Sequence, residues 1–373
     1  MGRATKGCGC ALTVLVVVLS AAGFAYWKYV SPWLKSKSPP PSGGELQVHV
    51  LDVGPIDGDS ILIISPAGKT VLIDAGDTSK SKVVLDALKR YKITQLDYFI
   101  ATHPHPDHIG GAAAAIKAIK VLNVIDNGLG PVAPTTSSAK PAAPISSNKK
   151  KKPTPTTFYD DYEAALKQSG AQYEKAEPGK KYDLGGGVRM TILGPSEPYF
   201  LKEQLKTGGN EPNANSVVVR LDYGDFSMLL PGDAEAQTEQ RMMSKDLDLK
   251  VKILKVAHHG SKYATSADFL KRVQPEVAII SDGEWNRYGH PSQAVLDRLK
   301  NTNAKVYRTD LQGEITITTT GKLKGDKLYE IKTAKEAKTD ILIGRDAQKD
   351  DSSRSGFIAY GDFGPPPKTV NRK

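Results

Sequence analysis

Between Glu45 and Thr319, short apolar runs take turns with longer segments whose apolar residues recur three and four positions apart. The first pattern predicts strands and the second predicts amphipathic helices. "LQVHVLDV" alternates apolar and polar residues, and "SILIIS" and "TVLIDAG" are apolar runs joined by "PAGK", a hairpin signal. "SKVVLDALKRY" has helical spacing, "LDYFIATH" reads as a buried strand, "AAAAIKAIK" as a helix and "VLNVID" as a strand. The pattern stops at 130–157, where Pro, Ser, Thr and Lys crowd out large apolar residues. Such a segment cannot repay the entropy of ordering and is expected to be an insertion.

The alternation then resumes. "FYDDYEAALKQSG" predicts a helix, "VRMTILGP" a strand and "SVVVRLDYGDFSMLLPGD" a hairpin. After these come the helix "AEAQTEQRMM", the strand "VKILKVAHHGS", the helix "SADFLKRV", the strand "EVAIISDG", the helix "SQAVLDRLK", and the strands "KVYRT" and "EITIT". Two mixed halves thus flank the insertion, an α/β arrangement, and each half delivers polar clusters at strand ends. The main body is expected over 46–320, with 321–373 as a charged, peripheral C-terminal extension.

The N-terminus differs in kind. From Cys8 to Trp27 no charge interrupts the chain, a length close to the roughly 20 residues of a spanning helix. Arg3 and Lys6 precede the run, and Tyr26, Trp27, Tyr29 and Trp33 cluster at its far end, as aromatics do at a membrane interface. Residues 1–34 therefore read as an uncleaved membrane anchor, with a cleaved signal segment as the rival. Residues 35–45 read as a Pro/Gly/Ser linker. The protein is expected to be membrane-anchored or exported, its body outside the cytoplasm. The only cysteines are Cys8 and Cys10, so the folded part carries neither a disulfide framework nor a thiolate metal site. A formal net charge of +10 favours acidic partners, nucleic acid among them.

Of seven histidines, six fall in three short clusters. "HPHPDH" gathers His103, His105, Asp107 and His108 where a strand turns into a helix; "VAHHGS" holds His258 and His259; "NRYGHPS" holds His290. His103 and His105 are spaced to chelate one ion, and Asp107 and His108 can reach a second position. Pro104 and Pro106 stiffen the loop, and Gly110 and Gly111 permit close backbone approach. Asp233, ending "LLPGD", could bridge two ions or cap the following helix. Nitrogen and oxygen donors without sulfur suit Zn²⁺, Mn²⁺ or Fe. His258 is favoured over His259 as the ligand. His290 reads as a substrate contact or leaving-group acid, and Arg287, Ser261 and Lys262 as substrate contacts.

With "LDVG…GDSILI", "VLIDAG", "LDYFIATHPHPDHIGG", "NANSVVVRL", "LLPGDAE", "LKVAHHGS", "IISDGEWNRYGHP" and "YRTDLQGEITI", the chain resembles the metallo-β-lactamase superfamily. It is more specifically similar to the hydrolase domain of ComEC-type DNA-uptake proteins. The resemblance implies a four-layer αβ/βα sandwich and a two-ion hydrolase, Zn or Mn, of phosphodiesterase or nuclease type. It implies that His103, His105, Asp233 and Asn215 hold one ion, and that Asp107, His108, Asp233 and His258 hold the other. Asp107 would also orient the attacking water. Two departures stand out. "DVGPIDGDS" replaces the family's "DVGQGD", and "NANS" stands where the wider superfamily has a further metal-binding histidine. A hydrolase of a wall-linked phosphoester or of a small ester or lactam, and a catalytically idle binding protein, are the alternative expectations.

Overall fold

The described residues form two sheets, with order β15–β14–β1–β2–β3–β4–β5–β6 in one and β13–β12–β11–β10–β9–β8–β7 in the other. The first-sheet strands are β1 Leu46–Val50, β2 Ile61–Ile64, β3 Thr70–Ile73, β4 Gln95–Ile100, β5 Lys120–Asp126, β6 Gln172–Lys175, β14 Ile315–Thr319 and β15 Glu330–Thr333. The second-sheet strands are β7 Lys181–Asp183, β8 Val188–Gly194, β9 Val218–Tyr223, β10 Phe226–Leu230, β11 Ile253–Lys255, β12 Val277–Ile280 and β13 Lys305–Arg308. This computed structural model describes residues 44–346, apart from 55–57, 131–156, 202–203, 206–210, 246 and 285–287. The N-terminal segment, nearly all of the linker and of the insertion, and Arg287 lie outside those residues. No helix among the described residues is long and apolar enough to cross a membrane.

Alternation along the strands sorts side chains into three cores. Val48, Ile63, Val71 and Ile100 of the first sheet meet Met190, Val219, Leu221 and Ile279 of the second, sealing the sheets face to face. On the outer face of the first sheet, Leu62, Leu72 and Phe99 pack against Val84 and Leu88 of the helix Ser81–Arg90, with Ile116 and Tyr162 from the helices Ala112–Ala118 and Phe158–Ser169. On the outer face of the second sheet, Leu229, Leu254 and Ala278 pack against Met242, Phe269 and Leu296 of the helices Ala236–Ser244, Ala267–Val273 and Gln293–Lys300. The layers therefore run helix, sheet, sheet, helix, as expected. Each fully buried Val, Leu, Ile or Phe contributes about 1.5–3 kcal/mol, so the three cores dominate the stability.

Strand pairing continues past residue 320. β15 extends the first sheet, setting Ile331 opposite Ile317. Buried Arg308 then donates to the carbonyls of Ile341 and Ile343 at 3.0 and 2.8 Å. Composition hid this segment because "EIKT" offers a single large apolar side chain to a sheet edge.

Parallel pairing fixes where the polar clusters go. β3, β4, β5 and β6 are mutually parallel, and so are β10, β11, β12 and β13. The loops after β3, β4, β10, β11 and β12 leave the carboxyl ends of these strands, where open α/β sheets place ligands.

Candidate metal centre

The "HPHPDHIGG" loop is pinned by its own residues. Pro106 opens the one-turn helix Pro106–Ile109, with His105 as its N-cap. The loop after β3 then accepts and returns backbone hydrogen bonds: Ala75 N to His108 O at 2.7 Å and Gly111 N to Gly76 O at 2.9 Å. A Cβ at Gly110 would lie 2.4 Å from Thr78 N, and one at Gly111 would lie 2.2 Å from Ala75 O. Only glycine lets the two ligand-bearing loops lie this close. His258 and His259 both have left-handed backbones, with φ of 50° and 51°. Each such non-glycine residue costs about 1–2 kcal/mol, strain that the loop retains while setting the two rings 6.2 Å apart at 75°.

His103, His108, Asp233 and His259 are all buried at one place. His108 Nε2 lies 3.3 Å from Asp233 Oδ1, 3.9 Å from Asp107 Oδ2 and 3.2 Å from His259 Nε2. His259 Nε2 lies 3.5 Å from both Asp107 Oδ2 and Asp233 Oδ2, and His103 Nε2 lies 3.9 Å from Asp233 Oδ2. Two atoms each about 2.1 Å from a tetrahedral ion stand about 3.4 Å apart, which is the spacing these donors keep. His103 Nε2 also meets His105 Nδ1 at 2.9 Å. Three-residue sets with donors close enough to hold an ion are His103, His108 and Asp233; Asp107, His108 and His259; Asp59, Asp74 and His108; and Asp59, Asp233 and His259.

The tautomers decide what this cluster can bind. His259 Nδ1 sits 2.8 Å from the Ser281 carbonyl, which can only accept, so Nδ1 carries the proton. His108 Nδ1 sits 2.7 Å from Asp74 Oδ2 and donates in the same way. In the neutral rings both Nε2 lone pairs then face each other at 3.2 Å, an opposition that a proton or a metal ion between or beside them relieves. Ring orientation by a carbonyl or carboxylate behind the far nitrogen is how proteins hold metal-binding histidines. Asp233 Oδ1 and Asp59 Oδ1 are buried with no hydrogen-bond donor. The residues present thus fit a divalent ion.

The electrostatics agree. Burial, reinforced by His108 and His105, holds His103 well below the ordinary imidazole value, leaving a neutral ligand. Burial also lowers His258, to about 3, with His290 adding to the effect against the pull of Asp233. Burial pushes His259 and His108 the same way, but the carboxylates outweigh it. Asp233, Asp107 and Asp59 raise His259 to about 9, and Asp233, Asp74 and Asp107 raise His108 well above its usual value. The carboxylates therefore demand positive charge at the two imidazoles, from protons or from an ion.

The residues singled out from sequence lie at different distances from this cluster. The Asn215 side chain is occupied by backbone: its Oδ1 accepts from Phe200 N and its Nδ2 donates to Phe200 O and Glu211 O. Asn213 faces the centre instead, with Nδ2 3.2 Å from His258 Nε2 and a buried Oδ1 that no donor meets. Of the histidine pair, His259 Nε2 meets His108, Asp107 and Asp233, and His258 Nε2 lies 3.8 Å from Asp233 Oδ2, beside Asn213 and His290. Ser261 is buried within its own turn, and Lys262 is exposed and lies over the Tyr263 ring. His290 lies 5.4 Å from His258 and 6.3 Å from His259, ring to ring, within reach of the cluster. Asp59, Asp74, Asn213 and Lys255 received no role from sequence. Asp59 and Asp74 stood in "GDS" and "VLIDAG", acidic residues beside apolar strands.

Residues 53–192 match the family model described as "Metallo-beta-lactamase superfamily". "ComE operon protein 3" of Bacillus subtilis is 31% identical over 288 residues, which cover 73% of this chain and 33% of that protein. "Recombination protein 2" of Haemophilus influenzae is 30% identical over 276 residues, covering 73% and 28%. "Competence protein ComA" of Neisseria gonorrhoeae is 28% identical over 273 residues, covering 73% and 32%. The chain spans about a third of the length of these relatives. Fold, motif order and these matches agree: the chain belongs to the metallo-beta-lactamase superfamily, in its ComEC-like branch.

Proposed function

We propose that this chain is a metal-dependent hydrolase that cleaves a phosphodiester, with nucleic acid as the first substrate to test. The observation that carries the metal dependence is the opposition of the His108 and His259 Nε2 atoms at 3.2 Å, each ring fixed from behind through Nδ1. His103, His105 and Asp233 would hold one divalent ion, Zn or Mn. Asp107, His108 and His259 would hold a second, with Asp233 shared. Divalent ions there supply Lewis acidity toward a phosphoryl oxygen and acidify water.

The protein's own groups do the rest. Of the four carboxylates Asp59, Asp74, Asp107 and Asp233, only Asp107 has an appreciably exposed side chain, at 23%. In this reading it orients an attacking water and takes its proton. Asn213, His258 and His290 stand beside the donors as hydrogen-bonding contacts for substrate oxygens. A net charge of +10 and relatives named for competence and recombination support a polyanionic substrate. We read the N-terminal apolar segment as an anchor that holds the hydrolase at a membrane, its body outside the cytoplasm.

The test is purified 45–373 assayed with Mn²⁺ and with Zn²⁺ against DNA, RNA and a chromogenic phosphodiester. Turnover should vanish with chelator and return with metal. No turnover on any of the three by fully loaded protein would refute the reading.

A further inference from the structure

We propose that Lys255 is a fixed cation built into the metal centre, and that with Asp59 it sets how tightly divalent ions are held. This rests on the metal reading above. Lys255 ends β11, three residues before His258, and its side chain is wholly buried. Lysine is almost never fully buried unless paired, because stripping water from an ammonium is costly. Here the ammonium pairs with Asp59 Oδ2, donates to Gly232 O at 3.2 Å, and lies 4.0 Å from Asp233 Oδ1.

Of the two carboxylates that Lys255 addresses, Asp233 is the one shared by both ions in the reading above, and Asp59 is the one left out. Asp59 and Asp233 join His259 in one of the donor sets. Asp59 Oδ1, buried without a hydrogen-bond donor, lies 3.6 Å from His259 Nδ1. A pair that served packing alone would not need to share Asp233 with the centre. An ammonium differs from a divalent ion in two ways. It carries one charge rather than two, and it donates hydrogen bonds rather than gathering four donors into a polyhedron. It can therefore neutralise Asp59 without organising His259 or Asp107, and its charge opposes any ion drawn to Asp233. Lys255 thus withholds Asp59 from the ligand set and weakens the grip of the remaining carboxylates. Ions held this way exchange readily.

The experiment is calorimetric titration of Mn²⁺ into wild type, K255M, D59N and the double variant K255M/D59N, with melting curves of the metal-free proteins. Removing the ammonium should tighten Mn²⁺ binding by about tenfold or more, since a like charge within a few ångströms of the ion is lost. K255M should also melt lower without metal, because Asp59 is left unpaired, and gain more from Mn²⁺ than wild type does. D59N should weaken binding by about tenfold or more, leaving the ammonium unopposed. The double variant should return to within about threefold of wild type, its two charges having cancelled. Equal or weaker binding by folded K255M overturns the proposal. Should K255M fail to fold, D59N decides, and unchanged Mn²⁺ affinity there overturns it. If wild type binds neither Mn²⁺ nor Zn²⁺, the metal reading itself fails and takes this proposal with it.

Discussion

Replacing Asp74 by Asn should separate the ring-orienting role of that carboxylate from its role in folding. Asp74 is fully buried and accepts three hydrogen bonds: from Thr102 N at 2.8 Å, Thr102 Oγ1 at 2.7 Å and His108 Nδ1 at 2.7 Å. Its φ is 58°, a left-handed conformation that Asn tolerates well and Ala does not. D74N therefore keeps the backbone, and its single amide oxygen can still accept from His108 Nδ1 and Thr102 Oγ1, while its NH2 group faces the Thr102 N–H, which loses its acceptor. At the His108 contact, what it loses is charge. A hydrogen bond to a charged group contributes about 1.5–3 kcal/mol against about 0.5–1.5 for a neutral one. The His108 contact should therefore weaken by about 1–1.5 kcal/mol. If that contact orients His108 Nε2 toward an ion, affinity for Mn²⁺ or Zn²⁺ should fall by about tenfold, the lower end for such outer partners. Chelator competition measures the affinity and circular dichroism the fold. D74A should be far worse, leaving three buried donors unpaired at about 1–3 kcal/mol each. Wild-type metal affinity in folded D74N would refute the claim that Asp74 holds His108 for an ion.

H290A should retain its metals yet slow turnover by about 10²–10⁴-fold on substrates with poor leaving groups, and far less on a nitrophenyl ester, if His290 supplies a proton. Metal analysis beside the kinetics checks this, and loss of an ion would make His290 a ligand instead. Excising 131–156, whose composition has too few apolar residues to repay ordering, should leave metal binding intact; abolished binding would contradict that. R308A should destabilise the fold by about 3–5 kcal/mol in urea titration, because Asp310 loses one of its two arginine partners and the carbonyls of Ile341 and Ile343 lose their donor. A change under about 1 kcal/mol would mean the C-terminal segment is not fastened through Arg308.

The strands that build the sheet interiors were legible because burial leaves a period in the sequence: Val48, Val50, Ile61 and Ile63 face one core while their neighbours face another environment. Three of the four edge strands among the described residues were not. "QYEK", "KYD" and "EIKT" carry few apolar residues, and their strand character comes from backbone pairing with β5, β8 and β14. At the site, "HPHPDH" announced a metal loop because proline, histidine and aspartate seldom concentrate so. The choice between neighbours was beyond sequence. His258 and His259 are adjacent and both left-handed, so strand alternation does not say which ring turns inward. "NANS" offers two identical amides, and only the short helix Glu211–Ala214 turns Asn213 to the centre and Asn215 to the backbone of Phe200. Lys255 read as one more strand residue, because what distinguishes it is Asp59, nearly two hundred positions away in the chain.

The central claim is that His108 and His259, not His258, converge on a divalent ion. Its most direct test is an anomalous difference map from crystals grown with Mn²⁺. A peak is expected about 2.0–2.2 Å from the Nε2 atoms of both His108 and His259, with Asp233 among its ligands. A peak bound by His258 with His259 turned away, or no peak beside His108, would contradict it.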